Sequence, residues 1–291
     1  MHITFLGTGA ANGYPEAFCR CENCERAREL GGPSLRKRAS ALINDDLLID
    51  LGPDVIAASN LHGRPLTRVR ACLQTHAHAD HLDVSHLLSR SPAYEVVGAP
   101  RLHFYASAGT LRYAARLFAR DLDGADLLDP QVGDRLNLTI HQIEAGQTFR
   151  AGGYRVTAFP ANHDPSVEPL LYAIEAEDAA LFYGLDTAAL PESTWRALRQ
   201  HRPKLRFDLV VWDHTYGPDE PGTDHLSARQ VIAHVARMRA AGLMSDRARA
   251  FASHISHPGN PVHPELSAFA ARHGYEIAYD GLTIHTSRKR M

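Results

Sequence analysis

Apolar positions along the 291-residue chain fall mostly into short runs closed by Gly, Pro, Asn or Asp. Runs of this kind at 3–6, 41–43, 47–51, 69–74 and 101–105 read as strands. A second series follows at 136–143, 147–149, 154–159, 170–174, 180–184, 209–212 and 248–252, and 275–286 closes with strand character. Helical spacing marks 54–61, 82–89, 108–118, 191–199, 226–241 and 264–273. Asn44-Asp45-Asp46 is a hairpin signal between two of the runs, and Pro191 suits a first helical turn. The acidic stretch 121–134 carries no pattern, and the chain ends in a basic tail. Strand-rich halves interleaved with helices predict an α+β protein, two stacked sheets with helices on their outer faces. Neither a domain linker nor a low-complexity segment interrupts it, so 1–291 reads as a single domain.

Composition narrows the function classes. At 44% hydrophobic residues, the chain is long enough to bury a large core. Its formal net charge of −2 provides no global basic field, which argues against a nucleic-acid partner. No apolar run reaches the roughly 18 residues a membrane span needs. Met1–Gly9 lacks the zones of a signal peptide, and the expected location is cytoplasmic. The oligomeric state is left open, a homodimer included.

The chemistry concentrates in 75–83, T-H-A-H-A-D-H-L-D, directly after the strand at 69–74. A strand that ends in a tight loop can point His76, His78, Asp80 and His81 into one small volume. Imidazole nitrogen and carboxylate oxygen suit zinc, manganese or iron. Three of the four cysteines cluster as Cys19, Cys21 and Cys24. Without a signal peptide, such a cluster reads as metal-binding rather than as a disulfide framework. Cys72, inside the strand before the histidine motif, reads as a small buried hydrophobe. The basic triplet Arg36-Lys37-Arg38 reads as a solvated surface feature or as an anion clamp.

The motif His-x-His-x-Asp-His resembles the signature of metallo-β-lactamase-fold hydrolases. That family's pattern continues with a distant His, a bridging Asp and a last His. Here His163 in P-A-N-H-D, Asp186 in Y-G-L-D-T and His254 in A-S-H-I-S follow in that order. The resemblance covers most of the chain and implies an αβ/βα four-layer sandwich holding two divalent ions. It places His76, His78 and His163 on one ion and Asp80, His81 and His254 on the other, with Asp186 bridging. Asp50 falls where many members keep an acid that supports a metal ligand. The segment G-Y-P-E-A-F-C-R-C-E-N-C-E-R-A-R resembles the N-terminal region of two branches, the PhnP-type cyclic phosphodiesterases and the PqqB proteins of a quinone-cofactor pathway. In the former, three thiolates share a structural zinc with a His three residues after the last active-site His. That position is His257 in this chain.

Two divalent ions outweigh Asp80, Asp186 and a bridging hydroxide in charge, so such a centre favours a small anionic substrate. Bound water there has its pKa lowered toward about 7, which suits attack on phosphorus or on a carbonyl. Asp213 in W-D-H-T-Y and His225 in T-D-H-L-S resemble the acid–His pair of the phosphodiesterase branch, which includes tRNase Z. The resemblance implies that His225 protonates the leaving oxygen and Asp213 orients it, although a helix-cap histidine is the plainer reading of His225. His214 and Tyr216 depart from the PhnP-type motif and stand as substrate-contact candidates, with Arg36 and Arg38. The expected activity is a metal-dependent phosphodiesterase for a phosphoribosyl 1,2-cyclic phosphate-like substrate, with phosphonate metabolism as its setting. A hydrolase of thioesters, lactones or lactams is an alternative, and so is a PqqB-like pathway protein. The intact ligand motif weighs against the last.

Overall fold

The computed structural model describes residues 1–121, 124–201, 206–218 and 222–286. Among them the short apolar runs form two seven-stranded sheets. One sheet holds β1 (His2–Gly7), β2 (Ser40–Ile43), β3 (Leu47–Ile49), β4 (Ala71–Leu73), β5 (Leu102–Ala106) and β6 (Leu138–Gln142). The other holds β7 (Thr148–Ala151), β8 (Tyr154–Pro160), β9 (Leu170–Glu175), β10 (Ala180–Gly184), β11 (Phe207–Asp213), β12 (Met244–Ser253) and β13 (Glu276–Ile277). The last strand, β14 (Thr283–His285), returns to the first sheet beside β1.

Both sheets follow one plan. In the order β14-β1-β2-β3-β4-β5-β6 the first three pairings are antiparallel and the last three parallel. The order β7-β8-β9-β10-β11-β12-β13 repeats that sequence of pairings. On this plan β3 matches β10, β4 matches β11 and β5 matches β12.

Side-chain alternation along each strand sorts the residues into three cores. In β10, Leu181 and Tyr183 face the opposite sheet while Ala180 and Phe182 face helices. In β11, Leu209 and Val211 point inward, and Val210 and Trp212 outward. In β4, Ala71 and Leu73 point inward and the buried Cys72 outward. Both faces are covered, which is why these parallel strands read as near-continuous apolar runs. Helices α1 (Glu22–Leu30), α6 (Glu192–His201), α7 (Ala228–Ala240) and α8 (His263–Arg272) cover the second sheet through Ala27, Trp195, Val231 and Leu266. The first sheet is covered by α2 (Val55–Leu61), α3 (Ser85–Leu88), α4 (Ala108–Asp121) and α5 (Pro130–Arg135) through Val55, Leu87, Phe118 and Val132. The result is the four-layer metallo-β-lactamase sandwich.

Several expectations need correction. The helix expected at 82–89 shrinks to α3, because Leu82 and Asp83 donate backbone bonds to His78 and Leu51 and so close the histidine loop. The unpatterned 121–134 holds all but the last residue of α5, whose start is capped by the Asp129 carboxylate accepting from the Gln131 amide, with Pro130 next to it. Residues 122–123 of that stretch lie outside the described residues, as does the basic tail beyond 286. The strand expected over 275–286 is two strands in different sheets. No helix among the described residues is long and apolar enough to cross a membrane.

Candidate metal centre

Strands β4, β8, β10 and β12 end at one edge of the sandwich, β8 alone of the four coming from an antiparallel half. The loop after β4 carries His76, His78, Asp80 and His81; His163 follows β8, Asp186 follows β10 and His254 follows β12. Asp186 (φ 52°), His254 (φ 61°) and Asp50 (φ 62°) sit in the left-handed region, which non-glycine residues seldom occupy. Such conformations cost about 1–3 kcal/mol each and persist where surrounding structure over-determines them.

Two donor groups result. The ligand-type atoms of His76, His78 and His163 lie within 4.8 Å of one another, and so do those of Asp80, His81, Asp186 and His254. Between His163 Nε2 and His78 Nδ1 the distance is 3.2 Å, and between His81 Nε2 and His254 Nε2 it is 3.4 Å. Asp186 stands between the groups, Oδ2 at 3.0 Å from His81 Nε2 and Oδ1 at 3.9 Å from His76 Nε2.

The rear nitrogen of each ring decides what the front one offers. His81 Nδ1 donates to Asp50 at 2.8 Å, and Asp50 also accepts from the Thr75 amide at 2.7 Å and from the Gln74 side chain at 3.0 Å. His163 Nδ1 donates to the Asp224 carbonyl at 3.3 Å, and His78 Nε2 to Asp164 at 3.2 Å. His76 Nδ1 lies 3.0 Å from the Thr75 hydroxyl. The front nitrogens of His78 and His163 therefore face each other as lone pairs, and buried His76 Nε2 has no hydrogen-bond partner. A cation resolves both features, so the residues fit divalent metal. Three carboxylates around His81 make the site favourable to positive charge. Burial opposes charge on His81, yet the Asp186, Asp80 and Asp50 carboxylates raise its pKa well above the usual range. His76 goes the other way, pushed well down by burial and by His81.

Beside this set, His225 Nδ1 lies 2.6 Å from Asp213 Oδ2, and the His225 ring stacks on His254 with centroids 5.2 Å apart. Burial works against its charge, but Asp213 prevails and lifts its pKa to about 9. Tyr216 stands edge-on to His225 with centroids 6.2 Å apart, its hydroxyl donating to Asp224.

Three proposed substrate contacts are corrected. Arg36 is buried, its guanidinium donating to Thr8, to the Ala278 carbonyl and to His263. Arg38 is gripped by Asp54 through two bonds of 2.7 Å, so its charge is already matched. His214 is fully buried just beyond the end of β11 and bonds Tyr275 Oη at 2.9 Å, so it cannot reach a substrate. Lys37 pairs with Asp280 at 3.6 Å. Sequence reasoning missed Thr75, Gln74, Asp164, Asp224 and Thr215; the first three sit next to or within two residues of a motif histidine, the only signal available.

The second cluster forms as well. The ligand atoms of Cys19, Cys21, Cys24 and His257 lie within 4.8 Å of one another, with Cys21 Sγ 3.5 Å from His257 Nδ1. A tetrahedral zinc with Zn–S near 2.3 Å separates its sulfurs by about 3.8 Å, so the spacing fits. All three thiols are free. Burial pushes Cys24 up to about 12, a cost that a bound cation would offset by taking the thiolate.

Fold and donor set together define a metallo-hydrolase scaffold. Residues 46–255 match the beta-lactamase superfamily domain, and the chain belongs to that superfamily, whose members are generally metal-dependent hydrolases. Coenzyme PQQ synthesis protein B from Cupriavidus necator (strain H16) is 26% identical across 97% of this chain and 98% of its own length. The fold is shared with a diphosphatase from the PhnP family (TM-score 0.72, 21% identity, 97% of this chain and 96% of that one). It is shared too with Zn2+-bound PqqB from Methylobacterium extorquens (TM-score 0.71, 22% identity, 98% and 100%). Human short-form tRNase Z aligns with a TM-score of 0.63 at 16% identity over 98% of this chain and 99% of that one.

Proposed function

We propose that the chain is a metal-dependent phosphodiesterase acting on a small cyclic phosphodiester of the phosphoribosyl 1,2-cyclic phosphate type. The observation that carries this reading is the Asp213–His225 pair, poised against His254 at the edge of the donor set. Two divalent ions, zinc, manganese or iron, held by His76, His78, His163, Asp80, His81, His254 and a bridging Asp186 would activate water and polarise a phosphoryl oxygen. A third ion, zinc, belongs with Cys19, Cys21, Cys24 and His257 as a structural element. Expelling a sugar alkoxide requires a proton donor, and a carbonyl substrate with a good leaving group does not. Asp213 keeps His225 protonated and turns Nε2 away from itself, free to donate to the leaving oxygen. Tyr216, tied to Asp224, remains the one substrate contact we propose from the original four.

Replacing His225 tests this. His225→Ala should retain its metals and lose about 10²–10⁴-fold in rate on a cyclic or alkyl diester. With bis(p-nitrophenyl) phosphate, whose leaving group departs unprotonated, the loss should be much smaller. Equal losses on both would remove His225 as the acid. In the wild type, the donor is present below its pKa and is lost as pH rises through about 9. Activity on the alkyl diester should therefore fall above that pH, while the activated ester is spared.

Full-length similarity to PQQ synthesis protein B favours a second reading, a role in a cofactor pathway. Purified protein with Mn2+ or Zn2+ should be screened against cyclic phosphates, linear diesters, diphosphates, thioesters and lactams. Turnover of the cyclic phosphates supports the first reading, and absence of turnover on every class supports the second.

A further inference from the structure

We propose that Thr215 is a positioning residue that joins the Asp213–His225 pair to the metal centre through a single hydroxyl. The inference rests on the metal-hydrolase reading and is independent of the substrate. Thr215 Oγ1 lies 2.9 Å from Asp213 Oδ1 and 2.7 Å from His254 Nδ1. A hydroxyl has one proton to give and two lone pairs. Asp213 can only accept, and it is the stronger acceptor than the third neighbour, the His254 carbonyl at 3.2 Å. The proton therefore goes to Asp213, and the oxygen must receive the bond from His254 Nδ1–H. That polarity leaves His254 Nε2 as a lone pair, and Nε2 is the atom 3.2 Å from Asp186 Oδ1 and 3.4 Å from Asp80 Oδ2.

One buried carboxylate thus orients two imidazoles. Its Oδ2 faces His225 Nδ1, and its Oδ1 sets His254 through Thr215. The Thr215 side chain has little freedom to break this arrangement. Its amide donates to Asp213 Oδ1 at 2.9 Å, and its carbonyl accepts from Asn260 Nδ2 at 2.9 Å and from the Ser256 hydroxyl. Without the hydroxyl, the Asp213–His225 contact and the amide bond to Asp213 both remain, and only His254 Nδ1 loses its partner.

Thr215→Val removes the hydroxyl at nearly constant shape, and Thr215→Ser keeps it. Zn2+ affinity of the chelator-stripped centre, measured by competition with a chromophoric chelator, should weaken about 10–100-fold in Thr215→Val, the range for losing a partner of a metal-bound histidine. Thr215→Ser should stay within a few-fold of wild type, and retention of the cysteine-bound zinc should be the same in all three. Unchanged affinity in folded Thr215→Val overturns the proposal. Should Thr215→Val not fold, nitrogen-15 NMR of the zinc-loaded wild type decides: a hydrogen-bonded Nδ1–H on His254 is expected, and an Nε2–H overturns it. A wild type that hydrolyses no diester while Thr215→Val loses zinc affinity would sink the substrate reading and leave Thr215 in its role.

Discussion

Asp186 makes contacts that no neighbouring carboxylate duplicates, because it alone reaches toward both donor groups. Burial raises the cost of its charge, yet the surrounding imidazoles, His254 first, hold its pKa well below the usual range. Asp186→Ala should therefore lower occupancy of at least one ion of the centre and abolish turnover. Metal analysis alongside a diester assay checks this; full activity with an unchanged metal count would mean that another carboxylate fills the role. Residues of this kind were legible because seven ligand-type side chains recur in a fixed order, and six of them are histidines or the aspartates at their side. Thr215 and Thr75 were not legible. A hydroxyl that fixes a tautomer leaves no mark in composition or spacing, and only its position two residues after Asp213, or one before His76, hints at it. Arg36 erred in the opposite direction: a cationic side chain was expected at the surface, and it is buried with its guanidinium bonded to Thr8, Ala278 and His263 from distant segments.

At the scale of elements, the ends of β4, β8, β10 and β12 decide what the site contains, and a helix start decides where His225 stands. The Tyr216 amide donates to the Leu226 carbonyl at 3.1 Å, and the Ala228 amide to the Tyr216 carbonyl at 3.2 Å, clipping the His225 segment to the one after β11. Gln230 completes the clip. Its side-chain Oε1 accepts from the Ser227 amide at 2.8 Å, and its Nε2 donates to the Gly222 carbonyl. Gln230→Ala should cost about 1 kcal/mol through the lost helix cap and slow turnover of an alkyl diester, with metal content unchanged. Unfolding midpoints, kinetics and metal analysis separate these effects. Strands were read well from their apolar runs, since both faces of the sheets are covered. Helix α3 was read too long, and α5 was missed because six residues are too few for a 3.6-residue period to emerge.

Across the whole molecule, Arg36 ties the first sheet to the closing segment, reaching Thr8, Ala278 and His263 at the start of α8. His263 accepts from Arg36 through Nδ1 and so must be neutral there; burial, then Arg36, lowers its pKa to about 4. An unfolded histidine takes its proton near 6.5. Between those values the unfolded chain binds more protons, so this contribution is complete above about 6.5 and is lost as pH falls toward 4. His263→Gln should flatten the fall in urea midpoint between pH 7 and pH 5 relative to wild type. An unaltered slope would assign that fall to other groups. The pairing order repeated in the two sheets places Asp50 after β3 and Asp186 after β10 at matching strand ends, both with left-handed backbone. His76, His78, Asp80 and His81 come from one sheet, and His163, Asp186 and His254 from the other. Neither sheet alone supplies either donor group of the histidine–aspartate centre, so a divalent ion held there would act as a rivet through the seam of the sandwich. Such an ion would add to the apolar core shared by the two sheets, so removing it should loosen their union as well as stop the chemistry.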